Sequence, residues 1–101
     1  MAAPMHFAST TSEAKRLRKA AGAWLKELRT KAGLSQVDLA ARLGLKYYTF
    51  VSQVENGFGR VPSDSMEEWA LALGLAPAVF ARTLLSYYDP KLHDMLFGPK
   101  K

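Results

Sequence analysis

The stretch that decides the fold is Leu34–Gly57, LSQVDLAARLGLKYYTFVSQVENG. It holds two short runs with apolar residues at helical spacing, separated at Gly44. Helices this short are not stable alone, so the pattern predicts a pair that packs on further helices. A helix that only packs would fill its outer face with Glu, Lys and Ala. The second run instead carries polar and aromatic residues that indicate a binding surface: Lys46, Tyr47, Tyr48, Thr49, Ser52 and Gln53.

Helical patterns continue on both sides of this stretch, and no segment alternates with period two for long enough to predict a strand. We therefore predict an all-α fold. The predicted organisation is a flexible tail over residues 1–12, a five-helix domain over residues 13–88 and an extension over residues 89–101 with one short extra helix.

Capping residues set the predicted helix bounds. Thr10 and Glu13 form a capping box that begins helix 1, which ends near Ala32, and Gly22 weakens its middle. Ser35 caps a second helix that runs through Leu43. The remaining predicted helices cover residues 47–56, residues 63 or 64 to 74 with Asp64 and Glu67 as a capping pair, residues 77–88, and residues 90–97 behind Asp89.

The composition argues against an enzyme. The 101 residues favour one domain, and the absence of cysteine excludes disulfides and thiolate metal sites. Only His6 and His93 are present, far apart in sequence, so we predict no catalytic cluster, no metal and no cofactor. No apolar run approaches the ~20 residues that span a bilayer, and the N-terminus lacks the basic leader of a signal peptide. We expect a cytoplasmic protein without a membrane partner.

The positive charge is concentrated in the first half of the chain. The net charge is +5 overall, with +5 in residues 1–32, +1 in residues 33–60 and −1 in residues 61–101. A basic half beside the Leu34–Gly57 stretch suits a polyanionic partner. It also suits an ordinary solvated helical face, and charge alone does not separate these two interpretations.

Three segments in order carry a family resemblance: LRTKAGLSQVDLAARLG (28–44), VSQVENG (51–57) and WALALGL (69–75). Together they resemble the Cro/phage-repressor-like (XRE-type) helix-turn-helix family over roughly residues 25–85. The resemblance implies a five-helix repressor-like domain that places its third helix in the major groove of double-stranded DNA. Small residues at Ala40 and Ala41 fit a close crossing of the two helices.

The same resemblance implies roles for individual residues. Gln36 bonds a phosphate or a side chain of the third helix, or it only caps its own helix. Tyr48, Thr49 and Gln53 occupy positions that read base edges. Contacts to the sugar-phosphate backbone are expected from Lys46, Tyr47, Ser52, Asn56, Arg60 and the backbone of residues 57–59. Arg29 and Glu55 match a structural ion pair that does not touch DNA.

One departure from the family lies between Gly44 and the ENG triplet, which are one residue further apart than usual. Either the turn is altered or helix 3 begins one residue earlier. The extra residue falls in KYYTF, where relatives often have small polar residues, and Phe50 is expected to tuck against helix 2.

Two functional hypotheses follow. The first is a prokaryotic or phage transcriptional regulator, most simply a repressor, that binds a palindrome as a homodimer. Its dimer element would be the C-terminal extension, unless Leu92, Met95 and Phe97 fold back on their own core. The second is an antitoxin-like or antiactivator module that binds a regulatory protein through four aromatic residues: Tyr47, Tyr48, Phe50 and Phe58.

Overall fold

A computed structural model describes the backbone of residues 3–99 and the side chains of residues 12–99. Within that range the chain forms six α-helices and no strand, which confirms the all-α fold with an extra C-terminal helix. The helices are α1 (Ala3–Lys31), α2 (Gln36–Arg42), α3 (Thr49–Glu55), α4 (Met66–Leu73), α5 (Pro77–Tyr88) and α6 (Pro90–Phe97).

Helix α1 begins earlier than its sequence predicts. It starts at Ala3, so Thr10 lies inside the helix and the predicted start there is wrong. Residues 3–12, expected in a flexible tail, are therefore helical, while residues 1 and 2 lie outside the described part. With 29 residues α1 is about 43 Å long, nearly the longest dimension of the molecule, 48 Å. The domain boundaries at residues 12 and 88 stay predictions.

Helix α2 has the ends that its sequence predicts. The Ser35 hydroxyl accepts a hydrogen bond from the Asp38 N–H, and the Asp38 carboxylate accepts one from the Ser35 N–H. At the other end Gly44 has φ +71°, and the Leu45 N–H donates to the Ala40 carbonyl at 2.9 Å. This is the Schellman arrangement, which only a residue tolerant of positive φ closes without strain.

Helix α3 is shorter than predicted. It begins at Thr49 rather than Tyr47, and it ends at Glu55. The extra residue is therefore absorbed by the turn after Gly44 and does not lengthen the helix. Tyr48 occupies the N-cap position, where its side chain makes no capping hydrogen bond. Lys46 and Tyr47 consequently lie in the turn and not on α3.

The last three helices follow the sequence closely, with one correction. A 3₁₀ turn at Ser63–Ser65 precedes α4, and no side chain caps either start, so the predicted pair of Asp64 and Glu67 is wrong. Helix α5 opens at Pro77 as predicted. Helix α6 is capped by Asp89, whose carboxylate accepts from the Leu92 N–H at 3.3 Å.

The core lies where α1, α3, α4 and α5 meet. Its largest fully buried side chains are Leu25, Leu39, Val51, Val54, Val61, Trp69, Phe80 and Leu84. Ala40 is buried where α2 and α3 cross, but Ala41 is exposed and takes no part in that contact. Phe50 is half-buried, with its ring edge-on to Trp69 of α4 at 6.4 Å, so its aromatic partner lies outside α2.

Two glycines let α1 approach the end of α3 closely. A Cβ at Gly22 would overlap the carbonyl oxygen of Glu55 and lie 2.7 Å from that of Val54. A Cβ at Gly57 would lie 2.8 Å from the Cα of Lys19, and Gly57 also has φ +83°. Backbone therefore meets backbone at both points, and α1 is held against α3 and the loop that follows it.

Candidate nucleic-acid interface

One face of α3 is free of the core and carries polar side chains. Val51 and Val54 are fully buried, which turns the opposite face outward. We name this the α3 outer face, consisting of Thr49, Ser52, Gln53 and Asn56 at helical spacings of three and four residues. Ser52 is half-buried and the other three are exposed. Hydroxyl and amide groups in such a row can donate to and accept from base edges and phosphates.

A buried ion pair holds α3 against α1. Arg29 Nε lies 2.6 Å from Glu55 Oε2, and Arg29 Nη2 donates to Glu55 Oε1 at 3.0 Å. Arg29 Nη1 also donates to the Leu34 carbonyl at 2.8 Å. Both side chains are more than nine-tenths buried, so the pair is not available to a ligand. The structure therefore contains the structural pair that the sequence indicates.

Gln36 joins the same network from α2. Its amide Nε2 donates to Glu55 Oε1 at 3.0 Å. The sequence left three roles open for Gln36, and this bond corresponds to the contact with a side chain of helix 3. Gln36 does not cap its own helix, because Ser35 and Asp38 form the cap. Gln36 is half-buried, and its second amide hydrogen is not needed for the bond to Glu55. Glu55 thus connects three helices.

The turn before α3 presents two tyrosines to solvent. The side chain of Tyr47 is 66% exposed and that of Tyr48 is 48% exposed. Lys46 Nζ lies over the Tyr47 ring, 5.6 Å from its centroid. These residues flank the N-terminal end of the α3 outer face, in a position suited to sugar and phosphate contacts.

The loop after α3 does not offer its backbone N–H groups. The N–H groups of residues 57, 58 and 59 donate to the carbonyl oxygens of Val54 and Gln53 near the end of α3. The predicted phosphate grip by this backbone is therefore wrong, because these donors are already used. The loop's donors are side chains, namely Asn56, which makes a long 3.4 Å bond to Ser52, and Arg60.

Arg60 is stacked on an aromatic ring of α5. Its guanidinium carbon lies 4.5 Å from the centroid of Tyr88. The Tyr88 hydroxyl accepts a hydrogen bond from the Val61 N–H at 3.2 Å. Burial raises the pKa of Tyr88, partly opposed by that bond and by the charges of Arg60 and Arg18. Arg60 is exposed to solvent, and its stack on Tyr88 fixes its position. A planar guanidinium that stacks through its face keeps its in-plane N–H donors available.

Helix α6, near the C-terminal end of the chain, exposes apolar side chains. Met95 is 76% exposed and Leu96 61% exposed, and Leu92 and Phe97 are exposed too. Arg82 of α5 stacks over Phe97 at 4.4 Å, and the buried His93 ring lies 5.3 Å from the Phe97 ring, measured between centroids. Leu92, Met95 and Phe97 are all exposed in the single chain, so the alternative in which they fold back on the core is wrong.

Sequence reasoning missed three contributors to this region: Gly22, Lys19 and Tyr88. A glycine in the middle of a helix signals close backbone approach as readily as weakness, so Gly22 could have been found. Lys19 and Tyr88 carry no such signal, because their positions depend on how α1 and α5 pack around the loop.

Among the described residues, no group of three or more His, Cys, Asp or Glu side chains is gathered where a metal ion could be held. No helix in this part of the chain combines the length and apolar character needed to cross a membrane.

Comparison with known proteins agrees with this geometry. The model of the HTH_3 family, described as helix-turn-helix, matches residues 25–80, which contain α2, α3, α4 and the loop after α3. No curated protein matches the chain closely enough to count as a relative. The match covers more than half of the 101 residues and includes the α3 outer face. The chain belongs to the XRE-type, Cro/repressor-like helix-turn-helix family of DNA-binding regulators.

Proposed function

We propose that this protein is a sequence-specific transcriptional repressor that binds a palindromic operator as a homodimer. The observation that carries the proposal is the α3 outer face, an exposed polar row on a helix fixed from behind by Arg29 and Glu55. A rigid frame suits base recognition because hydrogen bonds to base edges need accurate placement.

Within this proposal the residues have different tasks. Gln53 and Thr49 read base edges in the major groove, with Gln53 suited to a bidentate contact with adenine. Tyr48 stands at the edge of the same face. Contacts to phosphates come from the side chains that surround it: Gln36, Lys46, Tyr47, Ser52, Asn56 and Arg60. Such contacts set position and affinity and carry no sequence information directly.

The homodimer is supported by the exposed apolar side chains of α6. Leu92, Met95 and Leu96 expose apolar surface that a second copy of the chain would cover. A twofold pair would present two copies of α3 to the two halves of a palindrome. Repression follows if the bound dimer covers a promoter.

Binding-site selection tests the proposal. Purified protein is incubated with random duplexes, and the bound pool is sequenced. We expect an inverted repeat, whose affinity falls steeply with salt as counterions are released from DNA. A pool without enrichment, or an affinity indifferent to salt, would contradict sequence-specific DNA binding. A reporter with the selected site placed over its promoter then tests repression.

A second candidate function is capture of a regulatory protein, in the manner of an antitoxin or antiactivator. It is favoured by three exposed aromatic side chains around α3, those of Tyr47, Tyr48 and Phe58, the last 84% exposed. Phe50 does not belong to that surface, because it packs on Trp69. If Tyr47→Ala abolishes binding to a defined protein partner while DNA binding by wild type is absent, this second function holds.

A further inference from the structure

The middle of α1 carries three cations on one face. Lys15, Arg18 and Lys19 are spaced by three and four residues, which places them together on the helix surface. Lys15 and Lys19 are exposed and Arg18 is half-buried. We name this the α1 basic face. All three residues precede the segment matched by the family model, residues 25–80, so the family match assigns them nothing.

Close backbone packing fixes the direction of this face. Lys19 lies against Gly57, at the start of the loop after α3. One turn further along, Gly22 lies against the carbonyls of Val54 and Glu55. Lys15, Arg18, Lys19 and Gly22 share one side of α1, so the α1 basic face is on the side of the helix that meets the C-terminal end of α3 and its loop.

Arg18 provides an independent link to the same place. Its charge acts on the Tyr88 hydroxyl, together with that of Arg60. Arg60 itself is stacked on the Tyr88 ring. With Lys19 packed against Gly57 and Arg60 stacked on Tyr88, the α1 basic face and Arg60 both lie beside the loop after α3.

Within the described residues these cations differ from other basic residues of α1 in forming no ion pair. Elsewhere on α1, Arg16 pairs with Glu13 and Lys31 with Glu27. Among the described side chains, no acidic residue forms an ion pair with Lys15, Arg18 or Lys19. The loop beside them has also used its own N–H donors. A polyanion at this loop would find its donors in side chains, and α1 supplies three of them.

We propose that the α1 basic face binds the DNA phosphate backbone beside the half-site that α3 reads, extending the contact beyond the helix-turn-helix unit. This inference rests on the proposed DNA binding. Lys15 and Lys19 are about 6 Å apart along the helix axis, and each has a long flexible side chain. The two ammonium groups can therefore each contact a separate phosphate without reading bases.

The test compares a double variant, Lys15→Gln/Lys19→Gln, with wild type on the duplex that wild-type protein selects. Both side chains are exposed and glutamine is a good helix former, so the melting temperature is expected to stay unchanged. The slope of log affinity against log salt should flatten by about 0.9 for each lost contact, close to two units in all, with base preference unchanged. Lys15→Arg/Lys19→Arg should retain the wild-type slope.

Two controls separate this inference from the function it rests on. Arg16→Gln/Lys31→Gln removes the same charge from ion-paired positions of α1 and should flatten the slope much less. Trimming the duplex to the selected bases should weaken wild type but leave the Lys15→Gln/Lys19→Gln variant nearly unaffected. If wild type binds and the double variant keeps its slope, the inference is overturned while DNA recognition by α3 stands. If wild type selects no duplex, both are wrong.

Discussion

Arg29 and Glu55 form a two-point ion pair, at 2.6 and 3.0 Å, that joins the end of α1 to the end of α3 behind the surface proposed to face DNA. Gln36 of α2 donates to the same carboxylate. A buried pair of this kind gains little over well-packed apolar residues, but loss of one member leaves the other charged and unpaired. Loss of either member should therefore destabilise the fold, although the intact pair adds little net stability.

Removal of Arg29 is the direct test of that role. Arg29→Ala should lower the free energy of unfolding by about 3–5 kcal/mol, because Glu55 is left buried without its partner. Where the variant remains folded, its preferred DNA sequence should match that of wild type, since the Arg29 side chain is buried. Denaturant unfolding measures the free energy of unfolding, and site selection measures the preferred DNA sequence. An unfolding midpoint equal to that of wild type would show that the ion pair does not stabilise the fold.

Gly22 is expected to resist replacement despite its cost to the helix. Gly22→Ala gains up to about 1 kcal/mol of helix propensity. The new methyl group would nevertheless meet the backbone of Val54 and Glu55, so a net loss of about 1–3 kcal/mol is expected. Ala23→Gly, at the exposed neighbouring position, is the control and should cost only about 1 kcal/mol. A stabilised Gly22→Ala protein would show that α1 and α3 are further apart.

Gln53 and Arg60 should give different signatures on DNA. Gln53→Ala should cost about 1–3 kcal/mol on the preferred site and relax the choice of base at one position in each half-site. Arg60→Ala should weaken all sequences about equally and flatten the salt slope by about one unit. Binding titrations on the selected site and its single-base variants measure both.

Arg60→Lys serves as a control for the stacked geometry. It keeps the charge but loses the planar group that lies on Tyr88, so its salt slope should stay near that of wild type while its affinity falls. If Gln53→Ala and Arg60→Ala have the same effect on every sequence, the assignment of base reading to Gln53 is wrong.

The apolar face of α6 can be tested without truncating the chain. Met95→Glu/Leu96→Glu alters two side chains that are exposed in the single chain, so the fold should survive while the proposed homodimer dissociates. Light scattering should then give half the wild-type mass. Lys91→Glu is the control, since it changes the charge by the same two units at another exposed position of α6. An unchanged mass would place the interface elsewhere, with the exposed Val79 of α5 as the next position to alter.

The N-terminal cap of α2 predicts how the stability of the fold changes as pH falls. Hydrogen bonds from the backbone N–H and the hydroxyl of Ser35 lower the pKa of Asp38. The folded chain thus favours the carboxylate, and the resulting stability is present above the unfolded-state pKa and lost as pH falls through the folded-state pKa. Melting temperatures of Asp38→Asn should therefore fall less than those of wild type over this acidic range. Asp64→Asn, at a carboxylate that caps nothing, should follow wild type.

Local chemistry explains why much of the fold can be read from the sequence. Ser35 with Asp38, Gly44, Pro77 and Asp89 act on backbone groups within a few residues, and each marks a helix end that the structure contains. The pair of Arg29 and Glu55 was inferred from the family motif, because its two members lie at recognisable places in the pattern.

The positions that the sequence placed wrongly depend on contacts between distant segments. The KYYTF segment reads as helix from Tyr47, yet α3 begins at Thr49 because the turn absorbs the extra residue. Gly22 looks like a weak point until α3 is packed against it, and the loop after α3 looks like a phosphate cradle until its N–H groups turn back to Gln53 and Val54. The sequence by itself indicated the all-α class, most helix ends and the family, since those depend on short-range periodicity and capping, but it did not indicate that α1 begins at Ala3. Which donors face outward and which cations gather around the loop depends on how α1 and α5 pack against the end of α3, and no short-range pattern in the sequence reports that packing.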